Sequence, residues 1–386
     1  MDITENPNEN TGDGEIYLDS AATSRVCPDA LSALLAAAQE YANPSSLHRA
    51  GRRAAKLLAD ARKTLSEACC CEPEEIIFTS SGTEANNLAL LGAARANIRY
   101  SKRIISTDSE HPSVENALKE LEKEGFEVFR LSTKRGVPDY TRLSSLLKEK
   151  TSLVAVMHVN NETGAVYDIP KIHSLIDASG SGALLFSDNV QGFIKEDSIT
   201  SYCDMMSASA HKIGGIKGSA LLYVKKGTKL KNLIYGGEQE RSIRPGTENL
   251  PGICAFAAAA KAFAAHDNEY VKNLYSYLCE MLSHLPYVTL NIPEKASPYI
   301  LSVSLGIIKS EVALNALSSE EIYISAGSAC SSHKRNTRVP EAFGLSGKAL
   351  ESSVRISLSH DVTKPQIEKF VQILSQCAER YGRIGK

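Results

Sequence analysis

Short apolar runs punctuate the first two thirds of the chain, at residues 76–78, 103–106, 127–131, 153–159, 183–186, 205–208 and 220–224. Each has the length and the flanks of a strand. Helical stretches lie between most of them, at 84–100, 114–124, 140–148 and 169–178. Two more helices are predicted upstream, at 30–41 and 47–68, on either side of the cap-rich loop Asn43-Pro44-Ser45-Ser46. Strands alternating with helices predict an α/β fold: a mainly parallel sheet with helices on both faces. Ligands of such sheets sit outside the carboxyl ends of the strands.

The texture changes near Gly252. An Ala-rich helix is predicted at 255–267 and a second at 270–285. Short strands follow at 300–305 and 354–358, and a terminal helix begins near Lys364. This reads as a smaller α+β domain. The expected organisation is a flexible, polar segment at 1–15, a large domain at 16–255 whose first residues pack on the small domain, and a small C-terminal domain at 256–386.

Composition narrows the class. The 386 residues leave room for two domains, and 43% hydrophobic content supplies a sizeable core. A net charge of -2 provides no field for nucleic acid or an anionic membrane, and no apolar run is long enough to span a bilayer. The acidic, polar start lacks the features of a secretory signal. The 9 cysteines are odd in number and contain no CxxC pair, which argues against a disulfide framework or a structural zinc site and for a reducing, cytoplasmic setting. Cys69-Cys70-Cys71 stands where a helix should end, before Glu72-Pro73, and reads as small helix-terminal residues.

Polar residues then gather at the predicted strand ends. Gly82 and Thr83 open a helix directly after a strand, which offers free backbone N–H groups to a phosphate; an ordinary Ser/Thr cap has the same appearance. His111, in Glu110-His111-Pro112-Ser113, suits proton transfer near neutral pH or stacking on a planar ring; a loop histidine before a helix-starting proline looks the same. Asn161, in Asn160-Asn161-Glu162, could donate to a ring oxygen or sit in a plain turn. Asp188 could pair with a pyridine nitrogen or cap a helix, and Gln191 follows three residues later. Ser209-Ala210-His211-Lys212 precedes a glycine-rich turn. A lysine desolvated there is the type that forms a Schiff base with a carbonyl cofactor such as pyridoxal phosphate.

With these motifs in view, the chain resembles the fold type I pyridoxal phosphate enzymes of the class V aminotransferase group, and within them the NifS/IscS cysteine desulfurases. The resemblance runs from Tyr17-Leu18-Asp19-Ser20-Ala21-Ala22-Thr23 to Val354-Arg355-Ile356-Ser357-Leu358 and includes Asn43-Pro44-Ser45-Ser46-Leu47-His48, Gly82-Thr83-Glu84-Ala85-Asn86-Asn87 and Arg244-Pro245-Gly246-Thr247-Glu248-Asn249. It implies that Lys212 carries the cofactor covalently, that His111 stacks on its ring, that Asp188 holds the ring nitrogen, and that Asn161 and Gln191 lie near the ring oxygen. Gly82, Thr83, Ser209 and His211 would hold the phosphate. Thr247 would reach the phosphate site of a partner subunit, so a homodimer is implied. Arg355, with Asn161 nearby, would bind the substrate carboxylate.

Ser325-Ala326-Gly327-Ser328-Ala329-Cys330-Ser331-Ser332 resembles the long catalytic loop of one desulfurase group, with Cys330 as nucleophile. The implied activity is a sulfurtransferase reaction: L-cysteine becomes L-alanine and Cys330 carries the sulfur as a persulfide to an acceptor such as an iron–sulfur scaffold protein. No resident metal is implied beyond transient ligation of a cluster by Cys330. The competing readings are a selenocysteine lyase or another class V enzyme and, from a different class, a catalytically silent sulfur-trafficking scaffold. The basic run His333-Lys334-Arg335-Asn336-Thr337-Arg338 is an expected contact for an acidic sulfur acceptor. With its end soon after Tyr381-Gly382, the chain is expected from the resemblance to lack the longer tail by which some relatives hold a scaffold, which leaves the acceptor open.

Overall fold

The computed structural model describes residues 14–326 and 337–382. In chain order the elements are β1 (Ile16–Tyr17), α1 (Pro28–Ala38), α2 (Arg49–Cys69), β2 (Ile76–Thr79), α3 (Gly82–Ala96), β3 (Arg103–Thr107), α4 (Pro112–Lys123) and β4 (Glu127–Leu131). Then come α5 (Tyr140–Leu146), β5 (Leu153–Ala155), α6 (Ile169–Ser179), β6 (Leu184–Asp188), β7 (Met205–Ser209), β8 (Ala220–Val224) and α7 (Leu250–Ala264). The remainder holds α8 (Asn268–Ser283), β9 (Thr289–Leu290), β10 (Ile300–Ser304), α9 (Ser310–Ser318), β11 (Ile322–Tyr323), α10 (Arg338–Phe343), α11 (Gly347–Glu351), β12 (Ser353–Ser357) and α12 (Lys364–Tyr381). No helix among the described residues is long and apolar enough to cross a membrane.

Residues 24–160 and 165–266 form the larger of two compact units. Its seven-stranded sheet has the order β2-β8-β7-β6-β5-β3-β4, parallel except for β8, which runs antiparallel to both of its neighbours. The link from β7 to β8 is too short for a crossover helix, so the chain has to reverse there. Alternate residues of each strand feed opposite faces, as the period of two requires. Ile105, Val154, Leu185, Met206 and Leu221 meet α2, α5, α6 and α7 on one side. Ile104, Leu153, Phe186, Met205 and Leu222 meet α3 and α4 on the other. With both faces covered, β2, β6, β7 and β8 are apolar-rich and almost continuously buried. Arg62 of α2 donates to the Ile76 carbonyl at 2.8 Å and pairs with Glu240, which accepts from the Phe78 amide at 2.8 Å. This fixes β2 just before the turn into α3.

Residues 14–23, Asn161–Gly164 and those from Asp267 onward form the other unit. It holds the antiparallel sheet β12-β10-β9 and the parallel pair β1–β11. Leu274, Leu278 and Leu282 of α8 and Ile367, Phe370 and Leu374 of α12 are buried in it. Gly164 has φ +73°, and a Cβ there would lie 2.4 Å from the Ile300 carbonyl oxygen. Only glycine meets both constraints.

The expected boundary at 255/256 falls inside α7. That helix buries Ile253, Phe256, Ala257 and Ala260 in the same core as α2, so the division comes after it, between His266 and Asp267. The strand expected at 153–159 ends at Ala155, because the chain turns back so that Val159 pairs antiparallel with Val166. Cys69 is the last residue of α2, and Cys70 follows as a left-handed cap.

Candidate active site

In the larger unit three chain segments meet at the ends of β2, β6 and β7. β6 ends at Asp188 beside β7, with Asp188 opposite Ser207. α3 starts at Gly82, where a Cβ would lie 2.7 Å from Val190 Cγ2 and 3.9 Å from Ser209 Cβ. The missing side chain is what lets the helix N-terminus approach both strand ends. Ser81 caps that helix by accepting from the Glu84 amide at 3.1 Å, and Glu84 is in turn paired with Arg244 at 2.9 Å. Thr83, at the second helical position, is exposed.

After β7 the chain makes one tight helical turn, Ala210–Lys212. Ser24 pins it: the Ser24 amide and Oγ both donate to the His211 carbonyl, at 2.8 and 2.9 Å, and Oγ accepts from the Gly214 amide at 2.7 Å. Burial and the charges of Lys212, Lys217 and Lys195 push His211 down to about 4. Its ring is neutral at physiological pH and stands in an electropositive place. With the free N–H groups at the start of α3, this fits an anion.

Lys195 was not singled out from the sequence. Only 7% exposed, it follows Ile194, a β-branched residue with φ +64°. Burial and the Lys212 charge push Lys195 down to about 7, opposed by Glu196. Between about pH 7 and the ordinary lysine value of 10.5 the unfolded chain therefore holds a proton that the native chain lacks. Stability contributed at this site rises with pH through that window and is lowest below it. Lys195→Met is expected to raise the melting temperature at pH 7 and to flatten its climb toward pH 10. Parallel wild-type and variant melting curves across that range would contradict the assignment.

Asp188 is 6% exposed. Its Oδ1 accepts from the Val190 amide at 3.1 Å and its Oδ2 from Asn86 Nδ2 at 2.7 Å. It caps no helix, and each carboxylate oxygen keeps a lone pair for another donor. His111 caps α4: its Nδ1 accepts from the Ser113 amide at 3.1 Å and lies 2.7 Å from Ser113 Oγ. Gln191 is 5% exposed, close after Asp188. Thr247 is exposed, three residues beyond Arg244.

Arg355 and Asn161 come together in the smaller unit. Arg355, on β12, is 6% exposed. It donates through Nη2 to Asp19 Oδ1 at 2.7 Å and through Nη1 to the Asn161 carbonyl at 2.9 Å. Arg355 Nε and Asn161 Oδ1 are buried with no hydrogen-bond partner among the described residues. A guanidinium held from one side, with an N–H to spare, is suited to a carboxylate. Asp19 stands in the Tyr17–Thr23 motif, yet its pairing with Arg355 was not foreseen. Cys330 and the residues 333–336 of the basic run lie outside the described residues; Thr337 and Arg338 lead into α10.

Residues 16–370 match the aminotransferase class-V family model. The chain belongs to the class V aminotransferase family. Among its class V relatives, cysteine desulfurase 2 of Trichormus variabilis is 37% identical, with 96% of this chain and 94% of that one covered. A solved structure of a NifS-like protein superposes with a TM-score of 0.89 at 31% identity, covering 95% of this chain and all of that one. Another, described as SspA in complex with cysteine, gives a TM-score of 0.78 at 28% identity, covering 89% of this chain and 98% of that one.

Proposed function

We propose that the chain is a pyridoxal-phosphate-dependent cysteine desulfurase that converts L-cysteine to L-alanine and takes the sulfur on Cys330 as a persulfide. The observation that carries the cofactor assignment is the meeting of Gly82, Ser209 and the Asp188–Val190 segment at one spot. An anion-binding helix end stands there beside a buried carboxylate, and the electropositive His211–Lys212 turn follows directly on Ser209. This fits a phosphorylated pyridine aldehyde. When bound, the cofactor supplies an electron sink for the α-carbon of an amino acid.

The protein supplies the rest. The start of α3, Thr83, Ser209 and His211 would hold the phosphate, and Thr247 would serve the phosphate site of a second copy. Asp188 would accept from the ring nitrogen, and the family resemblance assigns Asn161 and Gln191 to the ring oxygen. Arg355 holds the substrate carboxylate. The Lys212 amine removes the α-proton, and His111 exchanges the proton of the substrate thiol through Nε2. The Cys330 thiolate attacks the substrate sulfur. The new S–S bond forms as the Cβ–S bond breaks, and the electron pair stays with the carbon skeleton, which takes a proton and leaves as alanine.

A homodimer fits the exposed apolar side chains Leu31, Leu35, Tyr41 and Leu47 in one stretch of the larger unit. The setting proposed is cytoplasmic, with a sulfur acceptor such as an iron–sulfur scaffold protein. The test is alanine release from L-cysteine by wild type and Cys330→Ser. We expect the variant to lose at least about a hundredfold of turnover, by removal of the nucleophile. Equal turnover would remove Cys330 from the mechanism. Release of selenide from L-selenocysteine without sulfide from L-cysteine would instead identify a selenocysteine lyase.

A further inference from the structure

Behind the proposed cofactor site, four side chains of the larger unit are joined in one buried chain of hydrogen bonds. Asn86, in the second turn of α3, is 1% exposed. Its amide nitrogen donates to Asp188 Oδ2 at 2.7 Å and to Ser113 Oγ at 2.8 Å. The direction is forced. An ionised carboxylate only accepts, so Asn86 must turn its NH2 toward Asp188, and that group's second N–H then falls to Ser113. Ser113 Oγ, accepting from Asn86, has its own proton left for His111 Nδ1 at 2.7 Å. The Ser113 amide donates to the same nitrogen at 3.1 Å. Nδ1 thus faces two donors and can only accept, which places the proton of the neutral ring on Nε2.

We infer that Asn86 is a positioning residue for the reaction: one buried amide aims the Asp188 carboxylate and, through Ser113, sets the tautomer of His111. The inference rests on the reading of Asp188 and His111 given above. It accounts for an asparagine at a position otherwise facing the sheet core. An apolar side chain of the same size would leave Asp188 Oδ2 and Ser113 Oγ without their donor, and an aspartate would set a like charge against Asp188. It also shows how the two groups are coupled, since a change in the Asp188 hydrogen bond is felt at His111 through Asn86 and Ser113.

The experiment compares holoenzyme Asn86→Ala and Ser113→Ala with wild type, using Asp188→Asn and His111→Gln as controls. Loss of a hydrogen bond to a charged group corresponds to about ten- to a hundredfold. We expect Asn86→Ala to lower kcat for alanine release by that factor while KM for L-cysteine stays within about threefold. Ser113→Ala is expected to lower kcat by about three- to tenfold, as for one neutral hydrogen bond, and to keep the absorbance of the bound cofactor. Nitrogen-15 NMR of histidine-labelled holoenzyme is expected to show the His111 proton on Nε2, with the Nδ1 resonance displaced in Ser113→Ala. Should Asn86→Ala fail to fold, the wild-type tautomer and Ser113→Ala still decide. A wild-type proton on Nδ1, or wild-type kcat in Asn86→Ala with both controls inactive, overturns the inference alone. Full turnover in both controls overturns the reading of the site and the inference with it.

Discussion

Lys212→Ala is expected to lower alanine formation from L-cysteine by about 10²- to 10⁴-fold, the range of a lost general base. Lys212 closes the tight turn after β7 that Ser24 pins from below, so its amine starts from a fixed base. The neighbouring Lys195 amine cannot replace it, because Lys195 is held in the interior on the segment after β6. Two secondary results are expected. The variant should lose cofactor more readily on gel filtration, since its covalent anchor is gone, and a small primary amine such as methylamine should restore part of the rate. A Lys212→Ala enzyme that turns over at the wild-type rate and retains cofactor as well would remove Lys212 from both roles.

The second large effect belongs to the smaller unit. Arg355→Ala is expected to raise KM for L-cysteine by about ten- to a hundredfold, as for a lost charge-assisted hydrogen bond, with kcat changed by less than about threefold. The substrate carboxylate is equally charged before and after the chemistry, so the lost contact is uniform binding, which appears in KM. Arg355→Lys should recover little of it. A lysine is a point charge and cannot span Asp19 and the Asn161 carbonyl as the guanidinium does. The equilibrium binding of cysteamine, which lacks the carboxylate, should be nearly indifferent to either substitution. Equal weakening of both ligands would mean that Arg355 supports the fold of its unit rather than the carboxylate.

Much of this was legible in the chain, and what was not has physical reasons. The strands of the large sheet announced themselves because both faces are covered, which leaves runs such as Ala220–Val224 with no polar residue to hide them. The two-residue strands β1, β9 and β11 carry no pattern, since their existence depends on a partner far along the chain, as with Ile16 opposite Ile322. Gly82, Ser209 and Asp188 could be picked out because each ends a strand or opens a helix where chemistry concentrates. Asn86, Ser113 and Asp19 lay inside motifs already singled out, yet each is tied into its task by a contact across 27 to 336 positions of sequence. Lys195 gave one faint sign, a lysine directly after Phe193-Ile194. Its burial beside Lys212 is a property of two neighbouring strand ends, and no local spacing encodes it.

The central claim is that this chain moves sulfur from L-cysteine onto its own Cys330. The direct measurement is the intact mass of the Cys330 peptide after the holoenzyme has been mixed with L-cysteine without an acceptor, under alkylation that traps persulfides. The account predicts one added sulfur atom on Cys330, formed together with one alanine per subunit and absent from Lys212→Ala. Alanine released with Cys330 unmodified, or an unmodified Cys330 with no alanine at all, would contradict it.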